Sequence, residues 1–295
     1  MATALALIAS VIFAVSTVLQ QRGGLEAPPL SLRHPRSFVG LAGQGTWLVG
    51  MLLLLPGWLL QAAALDRGRV AVIEPIFTMT IVFVLPLGYW LTAQTVTWMQ
   101  VGEACLVVAG LSVFVVLGDA AGGRDQAPNW QWFTAIAVIA VLCGVLLPLG
   151  KKERPSLRAG AYGTVAGVLS GLAATITKPV VELLHSNGLG AVLGNWQVYV
   201  LLTAGALGVL LQQIALQTAR LAPAVATGSV ANPLTGVVLG IVILQERLSP
   251  PTWHKVVALA ALGVALAAAV AISLAKERER RVHTTTAAVA GEPAT

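Results

Sequence analysis

The sequence predicts an all-α, polytopic membrane helix bundle of about nine transmembrane helices arranged as two inverted repeats. Three observations carry this. The 295 residues are 57% hydrophobic and 10% charged, with a mean hydropathy of +0.82, which is too little polar surface for a water-soluble globule. The apolar residues gather in nine runs of roughly the 20 residues that cross a bilayer core of about 30 Å as a helix. Landmarks of the first four runs recur, in order, in the last four.

The runs are 2–20, 38–64, 70–92, 96–117, 131–149, 159–184, 195–218, 222–245 and 252–275. Span 1 starts without a basic stretch before it, so it reads as a retained span and not a cleaved signal. Between the runs, "QRGGLEAPPLSLRHPRS", "LDRGR", "LGDAAGGRDQAPN", "KKERPSLR" and "HSNGLG" collect the Gly, Pro, Asn and charge of loops. The links "LTAQT", "QTARLA" and "QERLSPP" are short and set neighbouring helices antiparallel. After Ser273 the chain turns polar, and 276–295 reads as a disordered cytoplasmic tail.

The formal charge of +6 points to the membrane and not to nucleic acid, because the excess is one-sided. With nine spans, twelve basic residues fall on the face holding Arg22, Lys151, Lys152, Arg154 and the tail, and five on the other. The positive-inside rule then predicts a plasma-membrane protein with its N-terminus outside and its C-terminus cytoplasmic. Cys105 and Cys143 each lie in an apolar run without a CxxC or a nearby His, so neither a disulfide nor a bound metal is expected. There is no phosphate-binding loop, HExxH or G-x-S-x-G, which argues against an ATP-driven pump, a membrane enzyme or a resident cofactor. The expected partners are the lipid bilayer and a small-molecule or ion substrate, and the oligomeric state is open.

The repeat is read from three anchors. "WLLQAAAL" at 58–65 resembles "VLLQQIAL" at 209–216, setting Gln61 against Gln212 at an offset of 151. Trp98 of "TVTWMQ" matches Trp253 of "PPTWHK" at an offset of 155. "VSTVLQQ" lies against "LAATITK", setting Gln21 against Lys178 at an offset of 157. The predicted organisation is a first repeat at 1–117, a connecting span at 118–150 and an inverted second repeat at 151–275.

In the second half, Ala215-Leu216 ends one span, Pro233 interrupts the next, Glu246 follows thirteen residues later and Gly263 lies in the closing span. This pattern resembles the C-terminal half of EamA-like carriers of the drug/metabolite transporter superfamily. The first half, with Glu74-Pro75 early in span 3, resembles the nine-span relatives of that superfamily, which include NIPA-type magnesium transporters. "LTAQT" lacks the carboxylate that would follow span 3. The resemblance implies a secondary carrier working by alternating access, and a Lys at the helix end occupied here by Lys178.

The candidate site residues are those that are costly in hydrocarbon. Glu74 and Glu103 are candidates for a proton- or cation-linked carboxylate. Pro75 and Asn232-Pro233 mark helix interruptions in corresponding spans, where freed carbonyls need protein or a wet cavity. Gln61 and Gln212 suit a polar cargo or a contact between helices. Lys178 is expected to pair with Glu182 one turn on, as an outward gate. Gly163, Gly167 and Gly171 form one small-residue stripe for close helix packing. The leading expectation is a carrier of a small polar or amphipathic solute; the alternatives are a Mg²⁺ or other divalent-cation pathway and a non-transporting scaffold.

Overall fold

The computed structural model describes residues 1–25, 40, 43–92, 98–118, 121–149, 155–217, 221–247, 253–254, 256–268 and 271. The predicted tail and the basic residues Lys151, Lys152 and Arg154 lie outside them. In hydrocarbon every backbone group must be satisfied internally, so the apolar runs become helices. They are α1 (Ala2–Leu25), α2 (Gly45–Arg67), α3 (Val70–Ile76), α4 (Met79–Thr92), α5 (Trp98–Gly118), α6 (Asn129–Leu149), α7 (Pro155–Leu193), α8 (Trp196–Gln217), α9 (Leu221–Val242) and α10 (Val256–Ala268). Taking α3 and α4 as one interrupted span, the described residues hold the nine predicted spans, and the all-α membrane bundle stands.

Helix α1 packs along α2 and against α3 and α4, while α7 packs along α8 and α9. Helix α9 also carries α3 on its flank. Small residues set these approaches. A Cβ on Gly57 of α2 would come within 2.5 Å of the Phe13 ring of α1, and one on Gly208 of α8 within 3.0 Å of the Ser170 hydroxyl of α7. The predicted stripe on α7 faces α9: a Cβ on Gly167 would lie 2.6 Å from the Gly228 carbonyl oxygen, and one on Gly171 2.5 Å from that of Asn232. Gly171→Ala is therefore expected to cost about 1–3 kcal/mol through overpacking and to lower the melting midpoint in detergent. Gly144→Ala, where a Cβ meets nothing within 4 Å, is the control and should leave the midpoint in place.

One break and three departures from the sequence reading matter for the site. Span 3 is interrupted beside Pro75: Phe77 and Thr78 donate to the carbonyls of Glu74 and Pro75, and Thr80 and Ile81 to those of Phe77 and Thr78. This three-residue spacing tightens the chain between α3 and α4, next to a proline that supplies no donor. Span 8, by contrast, runs through Pro233 as one helix. "HSNGLG" is helical apart from Gly188, whose φ of 76° falls where only glycine is comfortable. Finally, Ala121 and Gly122 pair antiparallel with Arg247 and Glu246, a two-residue ladder (β1, Ala121–Gly122; β2, Glu246–Arg247) that no periodicity announces.

One end of the bundle gathers residues 66–69, 121–126, 178–188 and 243–247; the other gathers residues 20–23, 47–50, 91, 160, 213 and 227. The first brings oppositely charged side chains together, whereas in the second, beside Arg22, neutral polar groups bond one another. Trp58, Tyr89, Trp90, Trp98, Trp130, Tyr199 and Trp253 are exposed, as suits aromatic side chains near a membrane interface. Trp132 is fully buried.

Candidate functional site

Glu74 is fully buried on α3, four residues and thus about 6 Å inward from the start of that helix. Span 8 makes room for it with a glycine: a Cβ on Gly236 would lie 2.6 Å from Glu74 Cγ. The Gln61 amide of α2 donates to Glu74 Oε1 at 3.1 Å, whereas Glu74 Oε2 has no hydrogen-bond partner. Two more buried oxygens lack partners nearby in the fold: Thr78 Oγ1, in the break one turn beyond Glu74, and Asn232 Oδ1, one turn before Gly236 on α9. Ser10 of α1, itself buried, bonds the Ala6 carbonyl at 2.8 Å and reaches the Ile76 carbonyl at 3.4 Å, where α3 ends. A buried carboxyl group with unused hydrogen-bonding capacity can take a proton or a cation.

About one helical turn outward lies an ionic cluster that closes the charged end. Glu246 is fully buried and accepts the backbone N–H of Val70 on Oε1 at 2.9 Å and that of Ala71 on Oε2 at 2.7 Å. It thus satisfies two of the orphan donors that start α3. The Lys178 ammonium, 5% exposed, sits 3.5 Å from Glu246 Oε1 and 3.3 Å from Asp125 Oδ1. Asp125 is more than half exposed and also lies 3.8 Å from Arg69, a contact of little energetic weight at that exposure. The loop carrying Asp125 is tied down on both sides. Arg124 donates through its backbone N–H to the Leu244 carbonyl at 2.7 Å and through its guanidinium to the Ile243 carbonyl at 2.8 and 3.0 Å. Gln126 donates to the Pro179 carbonyl at 2.9 Å.

The opposite end is held by neutral groups. Gln213 of α8 bonds Gln20 of α1, and Gln20 donates to the Ser16 hydroxyl at 2.8 Å. Ser16 in turn donates to the Gly50 carbonyl of α2 at 2.7 Å, and the Trp47 indole reaches Gln213 Oε1 at 3.4 Å.

These contacts sort the predicted residues. Gln61, Glu74 and Pro75 come together, with Asn232 and Pro233 on the helix behind them. The expected Lys178–Glu182 pair does not form: Lys178 turns into the bundle toward Glu246 and Asp125, while Glu182 is only partly buried on the outer flank of α7. A buried ammonium needs acceptors that converge on it, and here two carboxylates from other elements do so. Glu103 lies half-buried on α5, and among the described residues no three His, Cys, Asp or Glu side chains gather as a metal site. Gln212 lies beside Gly228 of α9, and its neighbour Gln213 makes the buried bonds. Glu246, Asp125 and Gln20 were not site candidates from the sequence. Glu246 had been placed at a span end by the EamA-like pattern, and the Gly236-x-x-x-Gly240 spacing on span 8 was a second available signal.

Among the described residues, six helices long and apolar enough to cross a membrane and three shorter apolar ones make this a multi-pass membrane protein, with a buried carboxylate at Glu74. An uncharacterized protein of Corynebacterium glutamicum is 26% identical to it over 271 residues, covering 90% of this chain and 91% of that one. The probable magnesium transporter NIPA9 of Arabidopsis thaliana is 24% identical over 252 residues, covering 79% of this chain and 70% of that one. No protein-family model matches the chain, and no solved structure matches it.

Proposed function

We propose that this chain is a secondary membrane transporter, not an enzyme, that moves a small polar or amphipathic solute by alternating access, with Glu74 binding the coupling proton or cation. The observation that carries it is the Glu74 carboxyl, fully buried within a broken span and bonded through one oxygen only. An ionisable group at this depth is costly, and such groups mark ion and substrate pathways in membrane segments.

The two ends supply the gates: an ionic latch of Lys178 with Glu246 and Asp125 at one, a glutamine chain at the other. Inverted repeats at 1–117 and 151–275 supply the rocking halves, in keeping with the drug/metabolite superfamily pattern. Repeat-related contacts support this. Phe13–Gly57 and Ser170–Gly208 match at the offsets of 157 and 151 read from the sequence, and Gln61 meets span 3 at Glu74 as Gln212 meets span 8 at Gly228.

A Mg²⁺ pathway is the second reading, favoured by the similarity to the Arabidopsis transporter. Mg²⁺ keeps several waters and needs only one or two carboxylates, but Glu74, Glu103 and Glu182 do not gather into one cation site. Proteoliposomes with the purified protein decide between them. Solute uptake driven by an imposed pH gradient, without Mg²⁺ entry, is the expected result; Mg²⁺ entry reported by an internal dye, without proton movement, would replace the first reading by the second.

The charged end is proposed to face outward. With Cys105 and Cys143 replaced by Ser, Asp125→Cys in intact cells should then react with a membrane-impermeant maleimide. Protection there, with labelling of a cysteine introduced in the 151–158 segment instead, would invert the orientation.

A further inference from the structure

Span 8 holds two carboxylates that it does not itself place by helix geometry. Gly236 cradles Glu74 and Gly240, one turn on, cradles Glu246: a Cβ on Gly240 would lie 2.8 Å from Glu246 Oε2 and 3.1 Å from the Ala71 nitrogen. Glu246 itself follows the end of α9, where Gln245 adopts a φ of 54° and turns the chain back over the helix end. The carboxylate therefore meets α3 from the side, one oxygen on each of its first two free N–H groups.

Helix α3 is seven residues long and is cut off from α4 by the Phe77–Thr78 turn. Its position is not inherited from a long span. It is set at one end by Glu246 and along its flank by the close glycine contacts with α9. Glu74 lies four residues beyond Val70 on this short rod.

We infer that Glu246 is a positioning residue for Glu74: by holding the Val70 and Ala71 N–H groups it fixes the depth and rotation of α3, and so keeps the Glu74 carboxyl in its Gly236 cradle. The inference deepens the transporter reading and rests on it for its role in transport. Two jobs then meet in one side chain, since the same carboxylate receives Lys178 in the latch. Opening the charged end cannot leave Glu74 untouched, because the group released by Lys178 is the group that anchors its helix.

The test is made on the full-length protein in detergent and needs no identified cargo. Dicyclohexylcarbodiimide, a hydrophobic carboxyl reagent, is used at fixed pH, and the modification rate of the Glu74 peptide is followed by mass spectrometry. Glu246→Gln, which cannot accept from both N–H groups, should speed Glu74 labelling by about fivefold or more, the factor that one net hydrogen bond is worth. Glu246→Asp, one methylene short but still charged, should give an intermediate increase, and it serves as the reading should the glutamine variant fail to fold. Asp66→Asn at the same end, where Asp66 pairs with Arg67 and His185, should label like the parent.

The exchange Lys178→Glu/Glu246→Lys separates the two jobs. It keeps an ion pair across the latch but turns an ammonium toward the α3 donors, so labelling should stay fast. A return to the parental rate in the exchange, or an unchanged rate in both Glu246→Gln and Glu246→Asp, overturns the inference. Failure of the transporter reading shows separately, as proteoliposomes that move neither solute nor Mg²⁺ while these labelling differences persist.

Discussion

Glu74→Gln is expected to abolish gradient-driven uptake in proteoliposomes while leaving the folded protein at least as stable as the parent. Glutamine keeps the shape of the side chain and an oxygen for the Gln61 amide, but it cannot change charge. A group that cannot exchange a proton or cation contributes no coupling free energy between gradient and solute. Solute exchange without a gradient needs no such coupling and should persist, which distinguishes lost coupling from lost binding. Stability should hold or rise by about 1 kcal/mol, because a fully buried carboxyl with a single neutral partner is replaced by an uncharged isostere. Uphill transport by the variant would remove Glu74 from the mechanism.

The second large effect is expected at the latch. Lys178→Met leaves the fully buried Glu246 facing Asp125 without the intervening ammonium, and should cost about 3 kcal/mol or more in a denaturation measurement in detergent. Removing one partner of a buried pair is costly because the other stays charged, so Lys178→Met/Glu246→Gln should recover much of the loss. The size of that recovery is the coupling energy of the pair. An unchanged melting curve for Lys178→Met would mean that the ammonium contributes nothing in place.

Much of this was legible in the chain. The apolar spans, the break beside Glu74-Pro75 and the candidacy of Gln61 and Glu74 follow from patterns local to one helix or one repeat, whereas the bond between Gln61 and Glu74 does not. The glycine stripe on span 6 likewise announced a close approach, and it meets span 8 at Gly228 and Asn232. Lys178 was legible as a residue needing a partner, but the partner was taken from its own helix because i,i+4 spacing is the contact that a sequence displays. The true partners lie 53 and 68 positions away, at Asp125 and Glu246. One is carried by a loop tied to span 8 through Arg124, the other by a turn that starts at a residue of positive φ.

The sequence by itself determined the solvent of this protein and its class, because the transfer of apolar side chains into a bilayer is a sum over residues and does not depend on which helix meets which. It determined, too, which groups are out of place in that solvent. Only the tertiary structure decided what each of those groups does there. Whether a buried charge becomes a latch, a helix anchor or an exchangeable site depends on donors and acceptors converging within about 3 Å, and that convergence exists only after the helices have packed.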